Sequence, residues 1–107
     1  MTEVRRGRLR PPSDAPATGE TYDHLARTDD GRTVVEQILT GRTDTPVDYL
    51  QTRDEWVTVL AGGATLEVAG EIVQLTPGDW VVLPANVPHT VTHVDDGTSW
   101  LAVHLDP

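Results

Sequence analysis

An all-β domain, a sandwich or small barrel, is the fold class this sequence predicts. Two observations carry that prediction. From Thr33 onward the chain repeats one unit, a short run rich in Val, Leu, Ile, Thr and Trp closed by turn residues. These runs follow one another without the long intervening helical patterns that alternating α/β units require.

The elements follow in order. Thr33 to Leu39 reads as a strand, bounded by Asp29-Asp30-Gly31 before it and Gly41 after it. Asp54 to Leu60 is the next, closed by Ala61-Gly62-Gly63. Ala64 to Ala69 and Ile72 to Leu75 form a hairpin around Gly70-Glu71. Trp80 to Leu83 reads as a buried strand, too short for a helix. His89 to Val94 and Ser99 to Leu105 complete the set, joined by a turn at Asp95 to Thr98. Thr21 to Arg27 is the one stretch read as a short helical turn.

The segment from Gly78 to His89 is the most informative. Pro77-Gly78 signals a turn, because proline presets one dihedral and glycine accepts positive φ. Pro84 and Pro88 cannot donate to a sheet ladder, so the chain bends between them. The bend delivers His89 at the start of a strand whose alternation predicts His89, Val91 and His93 on one face.

The series Gly78, Pro84, Asn86, His89, His93 resembles the second motif of the cupin family. Asn86 stands for a family glycine, and asparagine tolerates the left-handed backbone. His93 stands for the terminal asparagine. The back half of the family's first motif is present as Glu55 followed by six residues and then Gly62. The resemblance spans residues 41–105 and implies a small jelly-roll, or double-stranded β-helix, barrel over residues 20–107. Residues 1–19, basic and proline-rich, are expected to form a flexible arm, because they carry too little apolar content to offset ordering entropy.

In metal-binding cupins two first-motif histidines, the glutamate and the second-motif histidine hold one divalent ion. Here the histidine positions fall on Tyr49 and Gln51, or on Asp48 and Leu50 in the alternative register. The resemblance therefore carries over only Glu55 and His89, as catalytic residues or metal ligands. Gln51 is the added metal candidate, and Tyr49, Gln51 and His93 are candidate ligand-binding residues. On a straight strand His89 and His93 lie about 13 Å apart, so joint ligation needs a strong bend. Two readings stay open: one divalent ion (iron, zinc, nickel or manganese), or a metal-free Glu55–His89 pair that transfers protons or binds a polar ligand. His104 reads as a wall histidine. Asp48 and Asp54 read as rim residues, and His24 carries no signal.

Composition narrows the classes. With 107 residues this is one domain. The absence of cysteine excludes disulfides, thiolate metal sites and a cysteine nucleophile. Lysine is absent too, which removes Schiff-base chemistry. A net charge of -9 argues against nucleic-acid binding. No apolar run reaches membrane-spanning length and the N-terminus lacks a signal-peptide core, so a cytoplasmic protein with no membrane partner is expected. Trp56, Trp80 and Trp100 carry most of the large apolar volume in a chain without phenylalanine, with Trp56 pointing away from the Glu55 side. The four arginines of the first ten residues read as a solvated tail or a clamp onto the domain's own acidic surface, ahead of an anion-binding arm.

These features point to a small cupin-like domain that binds a small polar molecule at the barrel mouth. As an enzyme it would be of isomerase, lyase, cyclase or oxygenase type. The alternative is a non-catalytic ligand-binding or sensor module. A homodimer is expected by resemblance.

Overall fold

The computed structural model describes residues 3–106. Nine strands form two antiparallel sheets: β1 (Glu20–Arg27), β2 (Thr33–Thr40), β3 (Val47–Tyr49), β4 (Asp54–Ala61), β5 (Ala64–Val68), β6 (Glu71–Leu75), β7 (Trp80–Leu83), β8 (His89–Val94) and β9 (Thr98–Leu105). One sheet runs β1-β2-β9-β4-β7 and the other β3-β8-β5-β6. Among the described residues the only helical element is a 3-10 turn at Pro12–Asp14. This is a jelly roll, within the sandwich-or-barrel class that the strand pattern predicts and of the kind that the motif resemblance implies.

Alternation along each strand builds the core. Val57, Val59, Leu66, Leu75, Leu83, Val94, Trp100 and Ala102 pack between the sheets. Their neighbours in sequence face outward, so Trp56 lies on the outer surface against Trp80, ring centroids 6.3 Å apart.

Three expectations are corrected and one strand is added. Thr21 to Arg27 is not a helical turn but most of β1, paired from Glu20↔Thr40 to Arg27↔Val34. Pairing with the β2 edge overrides the weak local preference of a stretch holding Thr, Tyr, Asp and His, none of them a strong helix former. The hairpin turns at Ala69-Gly70, both with positive φ (50° and 81°), which lets Glu71 pair with Val68. Trp80 to Leu83 is not buried on both faces: β7 ends its sheet, and Trp80 is 61% exposed. Strand β3 had no sequence signal beyond its three residues; pairing with β8 creates it, Tyr49 opposite His89.

The N-terminal stretch meets the domain at Gln37. The Arg10 N–H donates to Gln37 Oε1, and Gln37 Nε2 donates back to the Arg10 carbonyl, both at 2.9 Å. Gln37 Nε2 also donates to Ser99 Oγ at 3.0 Å. A buried side-chain amide thus serves as the backbone partner of the incoming chain. The Arg10 guanidinium lies 3.7 Å from Asp14 and 3.6 Å from Asp23, which is the clamp arrangement at the one arginine of the four that makes an ion pair among the described residues.

Two motif positions have clear backbone reasons. Asn86 has φ 62° and its N–H donates to the Gln51 carbonyl at 2.7 Å. It thereby ties the corner before His89 to the loop before Glu55. Gly62 has φ 85°, and a side chain there would meet the Thr98 backbone at 2.8 Å.

Candidate functional site

A cavity of about 110 Å³ opens between the sheets at one end of the barrel. The five-stranded sheet contributes Glu20 and Tyr22 (β1), Glu36 and Ile38 (β2), Glu55 and Val57 (β4), Leu83 (β7), and Trp100 and His104 (β9). The other sheet contributes Tyr49, Leu66, His89 and Val91, and the loop before β4 adds Gln51. A second cavity of about 430 Å³ shares Glu20, Tyr22, Tyr49, Val91 and Trp100 with the first.

Of the residues singled out from sequence, Glu55, His89, Tyr49 and Gln51 meet in this cavity. His93 does not. The β5–β8 register shifts so that Thr65 pairs with His93 but Leu66 pairs with Val91, leaving Thr92 as an extra residue. That bulge reverses the alternation, so Val94 turns inward and His93 outward. Outside, His93 Nδ1 lies 2.9 Å from Asp44 and Nε2 2.7 Å from Asp95. Both ring nitrogens face carboxylates, which raises the pKa of His93, mainly through Asp95 and then Asp44.

Glu55 is 6% exposed and stands at the cavity wall. Gln51 Nε2 donates to its Oε1 at 3.5 Å, and His104 Nδ1 lies 3.8 Å from its Oε2. The other face of His104 is committed: Nε2 is 2.6 Å from Glu36 Oε1. Burial lifts the Glu55 pKa above its ordinary value; the nearby His104 opposes this, while Glu36 and Glu20 add to it.

His89 is 5% exposed, and burial lowers its pKa against a smaller opposing effect of the Val87 backbone. Its ring stacks on Tyr49, centroids 5.4 Å apart and planes 11° from parallel. The Tyr49 hydroxyl donates to Glu20 at 2.8 Å. Burial and that carboxylate push the Tyr49 phenol upward, and Tyr22 is raised to about 12 for the same kinds of reason.

The family model for the cupin domain matches residues 34–104. The chain belongs to the cupin family. Among solved structures, this cupin is 33% identical to a Ralstonia eutropha protein provisionally named a mannose-6-phosphate isomerase, with TM-score 0.82 over 97% of this chain and 100% of that one. A cupin superfamily protein of Desulfitobacterium hafniense matches at 18% identity and TM-score 0.70, over 99% of this chain and 97% of that one. KdgF from Halomonas matches at 19% and 0.67, over 83% and 82%. The last two likenesses concern the fold alone.

The donor set of this cupin does not fit a resident divalent ion. Among the described residues, no three His, Cys, Asp or Glu side chains gather as an ion requires. Tyr49 commits its hydroxyl to Glu20, and Gln51 turns its amide nitrogen, not its oxygen, toward Glu55. His104 sits between Glu36 and Glu55 with its two nitrogens facing opposite ways, so the three do not converge on one point.

Sequence reasoning missed Glu20, Tyr22 and Glu36, whereas His104, read as a wall histidine, stands in the cavity wall bonded to Glu36. For His104 a signal existed, its alternation with Trp100 and Ala102. Glu36 lies two residues before Ile38 on the same strand, and that too was legible once an inward face is assigned. Glu20 and Tyr22 belong to the strand misread as a helical turn. No helix among the described residues is long and apolar enough to cross a membrane.

Proposed function

We propose that this cupin binds a small polar molecule at the barrel mouth and moves a proton on it without a metal, in the manner of an isomerase. The observation that supports this is Glu55: a carboxyl buried at the cavity wall, with its pKa raised and only long contacts to Gln51 and His104. A carboxylate raised toward neutrality is a competent general base, and its conjugate acid returns the proton. His89, held against protonation by burial, presents a neutral imidazole that can hydrogen-bond to a substrate oxygen as charge develops on it. Tyr49, stacked on that ring, fixes its orientation. His104 and Glu36 set the electrostatics behind Glu55.

The test is hydrogen exchange. Small hydroxy-aldehydes and hydroxy-ketones, including amino sugars, are incubated with the protein in D₂O and loss of the α C–H signal is followed by NMR. Wild type is expected to catalyse exchange in at least one, and Glu55→Gln to lower the rate roughly 10²- to 10⁴-fold. Exchange unaffected by Glu55→Gln would overturn the reading. Binding in the cavity with no exchange in any compound would favour a non-catalytic ligand-binding module instead.

The expected homodimer is proposed through the outer face near β7, where Trp56, Trp80 and the half-exposed Val82 form an apolar patch at the end of the five-stranded sheet. Sedimentation should give a dimer that Trp80→Glu converts to monomer. A monomeric wild type rejects it.

A further inference from the structure

The charges around the cavity have a sign, and it bears on the ligand. Glu20, Glu36 and Glu55 all line the pocket, whereas no arginine does and the chain has no lysine. Glu36 and Glu55 are both more than nine-tenths buried. The imidazole between them is the one basic group in the wall besides His89, whose pKa is lowered.

A second observation points into the same space. Glu55 Oε2 has no hydrogen bond: its nearest basic neighbour, His104 Nδ1, stands at 3.8 Å. That oxygen is open to the cavity rather than sealed off, so it is free to accept from a donor that arrives with a ligand. Aromatic faces complete the wall, since Tyr22, Tyr49 and Trp100 line both this cavity and the larger one beside it. Carboxylates with aromatic rings are the surroundings that stabilise an organic cation, by ion pairing and by cation–π attraction.

We infer that the ligand of this site is a small molecule bearing an ammonium group, with the ammonium donating to Glu55 and Glu20, since Glu36 already faces His104 at one oxygen and His24 at the other. This rests on the reading of the cavity as the ligand site and narrows its substrate class. It also sets this chain apart from the name carried by the R. eutropha relative, because a phosphate would meet three carboxylates and no guanidinium or ammonium. About 110 Å³ holds the ammonium-bearing head, and the adjoining 430 Å³ takes the remainder.

The test compares sugars of nearly one shape and three charges: mannosamine, mannose and mannose 6-phosphate, with ethanolamine as a smaller amine. Binding is measured by calorimetry at neutral pH to wild type, Glu20→Gln and Glu55→Gln, with folding of each variant checked by circular dichroism. Glu20→Gln keeps an acceptor for Tyr49 and carries the lower folding risk. The expected result is that at least one amine binds at least tenfold more tightly than mannose, that mannose 6-phosphate does not bind, and that each substitution weakens the amine about tenfold. Tighter binding of mannose or mannose 6-phosphate than of both amines overturns the inference. If that binding is lost in Leu66→Trp, which fills the cavity, the site itself stands. Amine binding indifferent to both substitutions, or no amine binding at millimolar concentration, also overturns the inference.

Discussion

Tyr49 stacks on His89 at 5.4 Å, from the position where the family's first motif would place a histidine. Backbone pairing fixes the contact, because Tyr49 and His89 are partners across the β3–β8 ladder. A ring that would have joined His89 at a metal instead covers it and excludes water from one of its faces. The Tyr49 hydroxyl, drawn to Glu20, ties β3 to β1 across the cavity mouth.

Removing that cover should be visible on His89 itself. Tyr49→Ala exposes the imidazole and is expected to raise its pKa toward the ordinary 6.5, because desolvation is the main cause of its depression. Tyr49→Phe keeps the stack and should leave the titration near that of wild type. NMR titration of the His89 ring protons reads the difference. An unchanged His89 curve in Tyr49→Ala would show that the stack does not control its solvation.

Restoring the missing donors should restore a metal. Tyr49→His with Gln51→His brings two imidazoles to the positions of the family pattern, joining Glu55 and His89. Protein purified without a histidine tag and dialysed against zinc is expected to hold about one ion per chain in the double variant. Wild type, with its donors committed elsewhere, should hold far less. Equal and stoichiometric metal in both, measured by elemental analysis, would contradict the donor geometry described above.

Glu55 should trade stability for function. Its folded pKa is raised, so the folded state holds this proton more tightly than the unfolded chain does. The group is therefore least costly below its ordinary value of 4.5, and stability falls as pH rises from there to the folded pKa. Glu55→Gln is expected to raise the melting temperature at pH 7 and to change it little at pH 4, while exchange activity is lost. The acid limb of the wild-type activity profile should lie above the ordinary carboxylate pKa for the same reason. A Gln variant less stable at neutral pH would mean that the ionised carboxylate is structurally required.

The outward His93 makes the opposite contribution. Its pKa is raised in the folded state by Asp95 and Asp44, so its stabilisation is complete below about 6.5 and is lost as pH rises through the folded value. Asp44, whose pKa is lowered by Arg42 and then His93, retains its own share down to acid pH. His93→Gln should flatten the stability–pH curve above neutrality and leave ligand binding in the cavity unchanged. Denaturant midpoints at several pH values check the first point. Loss of cavity binding in this variant would place His93 in the site after all.

Several parts of the site were legible in the chain. Gly62 and the proline-bounded corner before His89 rest on local backbone requirements, and the resemblance to the family's first motif picks out Glu55 by its interval to Gly62. Asn86 takes the left-handed conformation that the motif needs, so that corner could be read without a structure. His93 could not. One extra residue at Thr92 reverses which side faces in, and a bulge is set by the pairing strand rather than by local propensity. Glu20 and Tyr22 escaped for a related reason. A strand at a sheet edge, exposed along most of its length, shows little alternation, and its form comes from β2 beside it.

The all-β class and the strands from Thr33 to Leu105 other than β3 were determined by the sequence alone, because turn chemistry and period-two alternation act over a few residues. The resemblance to the cupin motifs added the jelly roll and the grouping of Glu55 with His89. The charge of the cavity was decided by tertiary structure. Glu20, Glu36, Glu55 and His104 come from four strands and meet only when the barrel closes. Electrostatic interaction depends on distance in space and on burial, neither of which the spacing of residues along a chain contains.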